Sequence, residues 1–132
     1  MKSLRHIPII YQAERADCGP ACLAMVLAAH GKGIPLETIK ARLRLTKDGI
    51  DAYSLLKTAK HFELKGRGVE ANVPALHKVP LPAILHWGKK HYVVLIRLGR
   101  KWAYIHDPGA GKLKLTMKEF ERLFSGTVLL FE

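Results

Sequence analysis

Residues 18–30 read Cys-Gly-Pro-Ala-Cys-Leu-Ala-Met-Val-Leu-Ala-Ala-His, without a single Lys, Arg, Asp or Glu. A helix at a protein surface keeps a polar face, so a helical segment apolar all round is predicted to be buried on every side. Gly19 and Pro20 fall in its first turn, where the N–H that proline lacks would find no intrahelical partner anyway. Gly31 follows as a C-terminal stop. Such a helix needs other elements wrapped around it.

The rest of the chain supplies them. Residues 7–11 are apolar and suit a short strand or an extended lead-in, and residues 12–17 are a polar loop. A second helix opens at Pro35, with Leu36, Ile39 and Leu43 on one face. A third is predicted over about residues 51–61, with Asp51 as N-cap and Tyr53, Leu55, Leu56, Ala59 and Phe62 along it. Beyond residue 62 the hydrophobic period changes from helical to strand-like. Residues 81–87, 91–98 and 101–106 are short runs rich in Val, Ile, Tyr and Trp. Gly99-Arg100 marks a hairpin turn, and residues 107–111 form a tight loop by composition. Thr116 and Glu119 have capping-box spacing, which opens a short helix closed by Gly126, and residues 127–131 make a final strand. Helices first and antiparallel strands second predict an α+β fold, one domain over residues 1–132.

No apolar run approaches the ~20 residues of a membrane span, and the N-terminus lacks the apolar core of a signal peptide, so a cytosolic setting is expected. Twenty-two Lys and Arg against eleven Asp and Glu leave the chain at +11. That bias suits nucleic acid, an anionic membrane surface or an acidic peptide. The basic residues are spread along the chain with no nucleic-acid-binding signature, so no nucleic acid partner is expected.

The chemistry centres on thiols. Cys18 and Cys22 lie one helical turn apart, which is neither a redox Cys-x-x-Cys nor a geometry that suits a disulfide. Cysteine attacks as the thiolate, and Cys18 stands where unpaired N–H groups and the helix dipole favour negative charge. Cys22 lies deeper and reads as a small buried hydrophobe. His91 opens one strand and Asp107 closes the next. A turn centred on Gly99 sets the two opposite each other, whereas a strict two-residue turn puts Asp107 on the other sheet face. A longer loop or a bulge is therefore expected, giving a base and its orienting carboxylate at one end of a hairpin. His86 is the rival base, and His106 should face away from Asp107. Cys18, Cys22, His91 and His106 fit no recognised zinc spacing, so no metal or cofactor is expected.

Three segments resemble the bacteriocin-processing peptidase domains of peptidase-containing ABC transporters. Gln12-Ala-Glu-Arg-Ala-Asp-Cys18-Gly-Pro-Ala-Cys-Leu is similar to the family's cysteine motif. Pro82-Ala-Ile-Leu-His-Trp87 with His91-Tyr-Val-Val-Leu95 resembles its histidine motif, and Asp107-Pro-Gly-Ala-Gly111 its aspartate motif. The resemblance implies a papain-like cysteine peptidase that cuts a leader peptide after Gly-Gly or Gly-Ala. Cys18 is then the nucleophile, His91 the base, Asp107 the orienter and Gln12 the oxyanion donor. It further implies the N-terminal domain of a larger transporter at the cytoplasmic face of the bacterial plasma membrane. The leader peptide and the transporter's transmembrane and nucleotide-binding domains are its implied partners. The chain itself carries no Gly-x-x-x-x-Gly-Lys-Ser/Thr and no membrane span. A degenerate relative that docks the leader without cutting it is the alternative, and the four site residues together argue against it.

Overall fold

A computed structural model of the chain describes residues 6–43, 50–88 and 90–132. Residues 1–5, part of the stretch read above as lacking a signal segment, lie outside that range. The apolar segment forms α1 (Cys18–Ala29), preceded by a 3-10 turn (Arg15–Asp17). Every residue of α1 except Ala28 is buried, as its composition demands. His30 caps it, and Gly31 leaves it in the left-handed region at φ 81°. Helices α2 (Leu36–Arg42) and α3 (Ala52–His61) follow where expected, with the Asp51 side chain accepting from the Ser54 N–H at 2.7 Å as N-cap.

The remaining elements are β1 (Gly66–Glu70), α4 (Val73–Leu76), β2 (Ala83–Trp87), β3 (His91–Leu98), β4 (Trp102–Asp107), β5 (Gly111–Thr116), α5 (Met117–Leu123) and β6 (Phe124–Phe131). The strands form one antiparallel sheet in the order β1-β6-β2-β3-β4-β5. Both faces of its centre are covered. On one, α1 packs Leu23, Met25 and Leu27 into a cluster with Ile84, Val94, Leu129 and Phe131. On the other, Phe120 of α5 and Leu76 of α4 join Leu85, Trp87, Val93, Leu95 and Ile105. Each large apolar side chain buried this way contributes about 1.5–3 kcal/mol. Among the described residues no helix is long and apolar enough to cross a membrane.

Several local expectations need correction. Of the two readings of residues 7–11, the structure has the extended lead-in and not the strand, and the segment is tied down where His106 Nδ1 meets the Pro8 carbonyl at 3.1 Å. β1 carries no strand signal in the sequence, because Gly-Arg-Gly-Val-Glu shows no apolar alternation. A Cβ on Gly66 would stand 2.8 Å from the Phe131 ring, so glycine there permits the close pairing of β1 with β6. The loop after Asp107 spans only residues 108–110 before β5 begins. Leu113 and Leu115 of β5 alternate with Lys112 and Lys114 and pack on the core, a period-two signal that was there to read. The Thr116–Glu119 capping box forms, but α5 ends at Leu123 and runs straight into β6. Gly126, expected to close the helix, sits inside that strand at φ 102°.

Candidate active site

Cys18 is the first residue of α1 and only 5% exposed. Burial is the largest single influence on its thiol and pushes the pKa up. It is outweighed by hydrogen bonding and charge from His91 and by the backbone N–H groups of Tyr92 and Gly19, so the net shift is downward. The Lys90 carbonyl lies 4.0 Å from Sγ. Gly19 also lets α3 approach the helix start, since a Cβ there would stand 2.7 Å from Ile50 and 3.3 Å from Leu55.

The imidazole of His91 is fixed from its far side. Nε2 meets Asp107 Oδ1 at 2.9 Å, and the same oxygen accepts the Gly109 N–H at 2.8 Å. With Nε2 occupied, Nδ1 is the nitrogen left for the thiol. The hydrogen bond to Asp107, then that to Cys18, raise the His91 pKa to about 9 despite burial. Burial pushes the Asp107 carboxyl up. Hydrogen bonds from His91 and Gly109, with the His91 charge and the Ala110 N–H, more than offset it and leave the pKa lowered. Opposed shifts on thiol and imidazole favour a thiolate–imidazolium pair over the neutral one.

A bulge in the β3–β4 hairpin makes this geometry possible. Leu98 pairs Ala103 and Arg97 pairs Tyr104, but the register then shifts, so that Leu95 pairs Ile105 and Val94 pairs His106. Without the extra residue at Ile96, Asp107 would fall on the opposite face from His91. The expected bulge is present; the expected register is not. Continuing the ladder, Asp107 falls opposite Val93, on the same face as His91 but two residues along, and the imidazole reaches diagonally to it.

Gln12 is tied to the same corner. Its N–H donates to the Pro108 carbonyl at 3.0 Å, and its side-chain Oε1, buried and unpaired among the described residues, lies against Gly109. Nε2 donates to the Glu14 carbonyl at 3.1 Å. An amide nitrogen carries two hydrogens, so this bond sets the plane of the group and leaves one N–H uncommitted. The N–H of Tyr92 escaped sequence reasoning, because which strand amide faces a thiol depends on packing, whereas that of Gly19 is one of the unpaired first-turn groups expected there. That of Gly109 was legible as an Asp-Pro-Gly turn bonding back to its aspartate.

The neighbouring side chains have other partners. Burial raises the Cys22 thiol well above the usual range, with the charges of Cys18 and Asp107 adding to it. His86 Nδ1 bonds Ser125 Oγ at 3.1 Å, and its ring lies edge-on to Tyr92. His106 points to the lead-in segment, on the opposite sheet face from Asp107.

Thiol chemistry of this kind, on a buried helix against an antiparallel sheet, places the chain among the papain-like cysteine peptidases. Residues 6–132 match the model of the Peptidase C39 family, and the chain belongs to it. The probable microcin-H47 secretion/processing ATP-binding protein of Escherichia coli is 33% identical over 129 residues, covering 98% of this chain and 18% of its own length. The crystal structure of a double glycine motif protease from an AMS/PCAT transporter, in complex with the leader peptide, is 39% identical. It superposes with a TM-score of 0.92 over 98% of this chain and 94% of that one. The peptidase domain of Streptococcus ComA, a bi-functional ABC transporter, shares the fold with a TM-score of 0.87 at 24% identity, over 96% of this chain and 98% of that one. The chain spans only 18% of the length of the Escherichia coli transport relatives it matches.

Proposed function

We propose that this chain is the peptidase domain that removes leader peptides from bacteriocin-like precursors after a Gly-Gly or Gly-Ala pair. It works beside the transmembrane and nucleotide-binding domains of an ABC transporter, at the cytoplasmic face of the bacterial membrane. One observation carries this reading: His91 Nε2 and Asp107 Oδ1 lie 2.9 Å apart, and the other side of that imidazole serves a thiol whose pKa is lowered.

The steps follow from the geometry. The Cys18 thiolate attacks the carbonyl carbon of the second small residue, and the carbonyl electron pair moves onto oxygen. The backbone N–H of Cys18 and the uncommitted N–H of Gln12 stabilise that oxyanion. Imidazolium His91 then gives its proton to the leaving amine nitrogen, the C–N bond breaks, and the leader is left as a thioester on Cys18. Water, deprotonated by His91, attacks the thioester. The leader leaves as a carboxylate and the thiolate–imidazolium pair is restored. Asp107 keeps the ring in one tautomer throughout. The net charge of +11 steers acidic leader residues toward the domain and raises the association rate.

Gln12→Ala is expected to lower kcat by about a hundredfold to a thousandfold with KM nearly unchanged, the loss typical of one oxyanion donor. Steady-state kinetics on a double-glycine precursor checks this, and a change confined to KM would mean that Gln12 binds substrate instead.

The pH profile provides a second test. The thiol pKa is lowered and that of the imidazole is raised to about 9, so the competent form lies between the two apparent values. Activity should fall as pH drops through the lower value, where the thiolate is protonated. It should fall again as pH rises through about 9, where His91 loses the proton destined for the leaving group. Asp107→Asn removes the largest influence raising His91, so the alkaline limb should move to lower pH while the acid limb moves less. An alkaline limb that stays put in Asp107→Asn would contradict the assignment.

A further inference from the structure

Asp17 occupies the N-cap position of α1, but its side chain does not cap that helix. An N-cap aspartate ordinarily accepts an N–H from the first turn of its own helix. Here Oδ2 turns back along the chain and accepts the N–H groups of Ala13 at 3.2 Å and Glu14 at 2.9 Å. The side chain is wholly buried, and Oδ1 has no partner among the described residues. A carboxylate sealed in this way persists only where a cation and hydrogen-bond donors compensate the lost water. The cation is Lys40, which reaches in from α2 and sets Nζ 3.2 Å from Oδ2. The exposed Glu37 lies 3.9 Å from the same ammonium, and the charge of Glu14 also acts on it.

The bonds around Asp17 lead to one place. The Glu14 N–H is held by Asp17 Oδ2, and the Glu14 carbonyl accepts both the Asp17 N–H at 3.1 Å and Gln12 Nε2 at 3.1 Å. An unbroken path thus runs from the Lys40 ammonium through Asp17 and the Glu14 peptide to the Gln12 amide. Residues 12–17 form no α-helix or strand that would hold that amide in their absence. Preorganised donors act in catalysis only if they already stand where charge will develop.

We infer that Lys40 and Asp17 are positioning residues, which hold the Gln12 amide through the Glu14 backbone in the orientation the oxyanion needs. The inference rests on the role proposed above for Gln12. Neither residue touches substrate or thiol in this account, so their loss should leave substrate affinity and thiol reactivity alone.

The test is a double-mutant cycle on the full chain, using a synthetic precursor peptide whose leader ends in Gly-Gly. Lys40→Met should lower kcat by roughly tenfold to a hundredfold, the scale on which a displaced catalytic group loses effect, with KM unchanged. Lys40→Arg should restore most of the rate. The pH profile of iodoacetamide labelling at Cys18 should be the same in Lys40→Met as in the wild type. In a Gln12→Ala background, Lys40→Met should cost almost nothing more, since the group it positions is gone. Lys40→Gln replaces Lys40→Met if the latter unfolds. Equal losses from Lys40→Met with and without Gln12, no loss at all, or slowed labelling of Cys18 would each overturn the inference while leaving the oxyanion reading intact. Full activity in Gln12→Ala would sink both.

Discussion

Cys18→Ala is expected to abolish cleavage of a double-glycine leader while leaving the fold and leader binding close to wild type. The residue is buried at the start of α1, and alanine removes one sulfur without disturbing the Asp17 contacts or the helix. Cys22→Ala should keep activity, since the Cys22 thiol is held protonated by burial and faces the packed core. Iodoacetamide should accordingly label Cys18 well before Cys22, which mass spectrometry of the alkylated protein would show. Preferential labelling of Cys22, or an active Cys18→Ala, would remove the nucleophile from this account.

His91→Ala should cost roughly four orders of magnitude in kcat/KM, because one ring supports both thiolate formation and protonation of the leaving amine. Its alkylation profile should shift at the same time, with Cys18 now reacting only at higher pH. The largest support for the lowered thiol pKa comes from that imidazole. Asp107→Asn should cost less, about a hundredfold, because an amide oxygen can still accept the ring N–H and hold the tautomer. His86→Ala is the control. That ring is engaged by Ser125 and lies against Tyr92, so its removal should change activity little. Inactivation by His86→Ala with a mild His91→Ala would mean that the wrong imidazole had been assigned.

Much of this was legible in the chain, for reasons that can be named. The α1 segment has no polar face, so its burial followed from composition alone. His91 and Asp107 open and close adjacent strands, so a hairpin had to bring them near each other. Whether they would share a face depended on one inserted residue, and the need for a bulge could be stated in advance although its place at Ile96 could not. The pairing offset of two residues is likewise set by how the chain turns at residues 99–101, and no side-chain pattern records it. β1 escaped notice because its stability comes from close backbone approach to β6 and Phe131, which a glycine permits but does not announce. Asp17 escaped because residues 12–17 read simply as a polar loop. Only the fold shows that its carboxylate faces backward, with Lys40 of another helix against it.

The specificity of the site is its central claim. Incubating the protein with a precursor peptide whose leader ends in Gly-Gly, and weighing the products by mass spectrometry, tests that claim most directly. The account predicts one cut, directly after the second glycine. The cut should be absent with Cys18→Ala and lost when either glycine is replaced by Val, because two adjacent small residues imply subsites too narrow for side chains. An uncut precursor that still binds tightly, or a cut that tolerates Val at both positions, would contradict it.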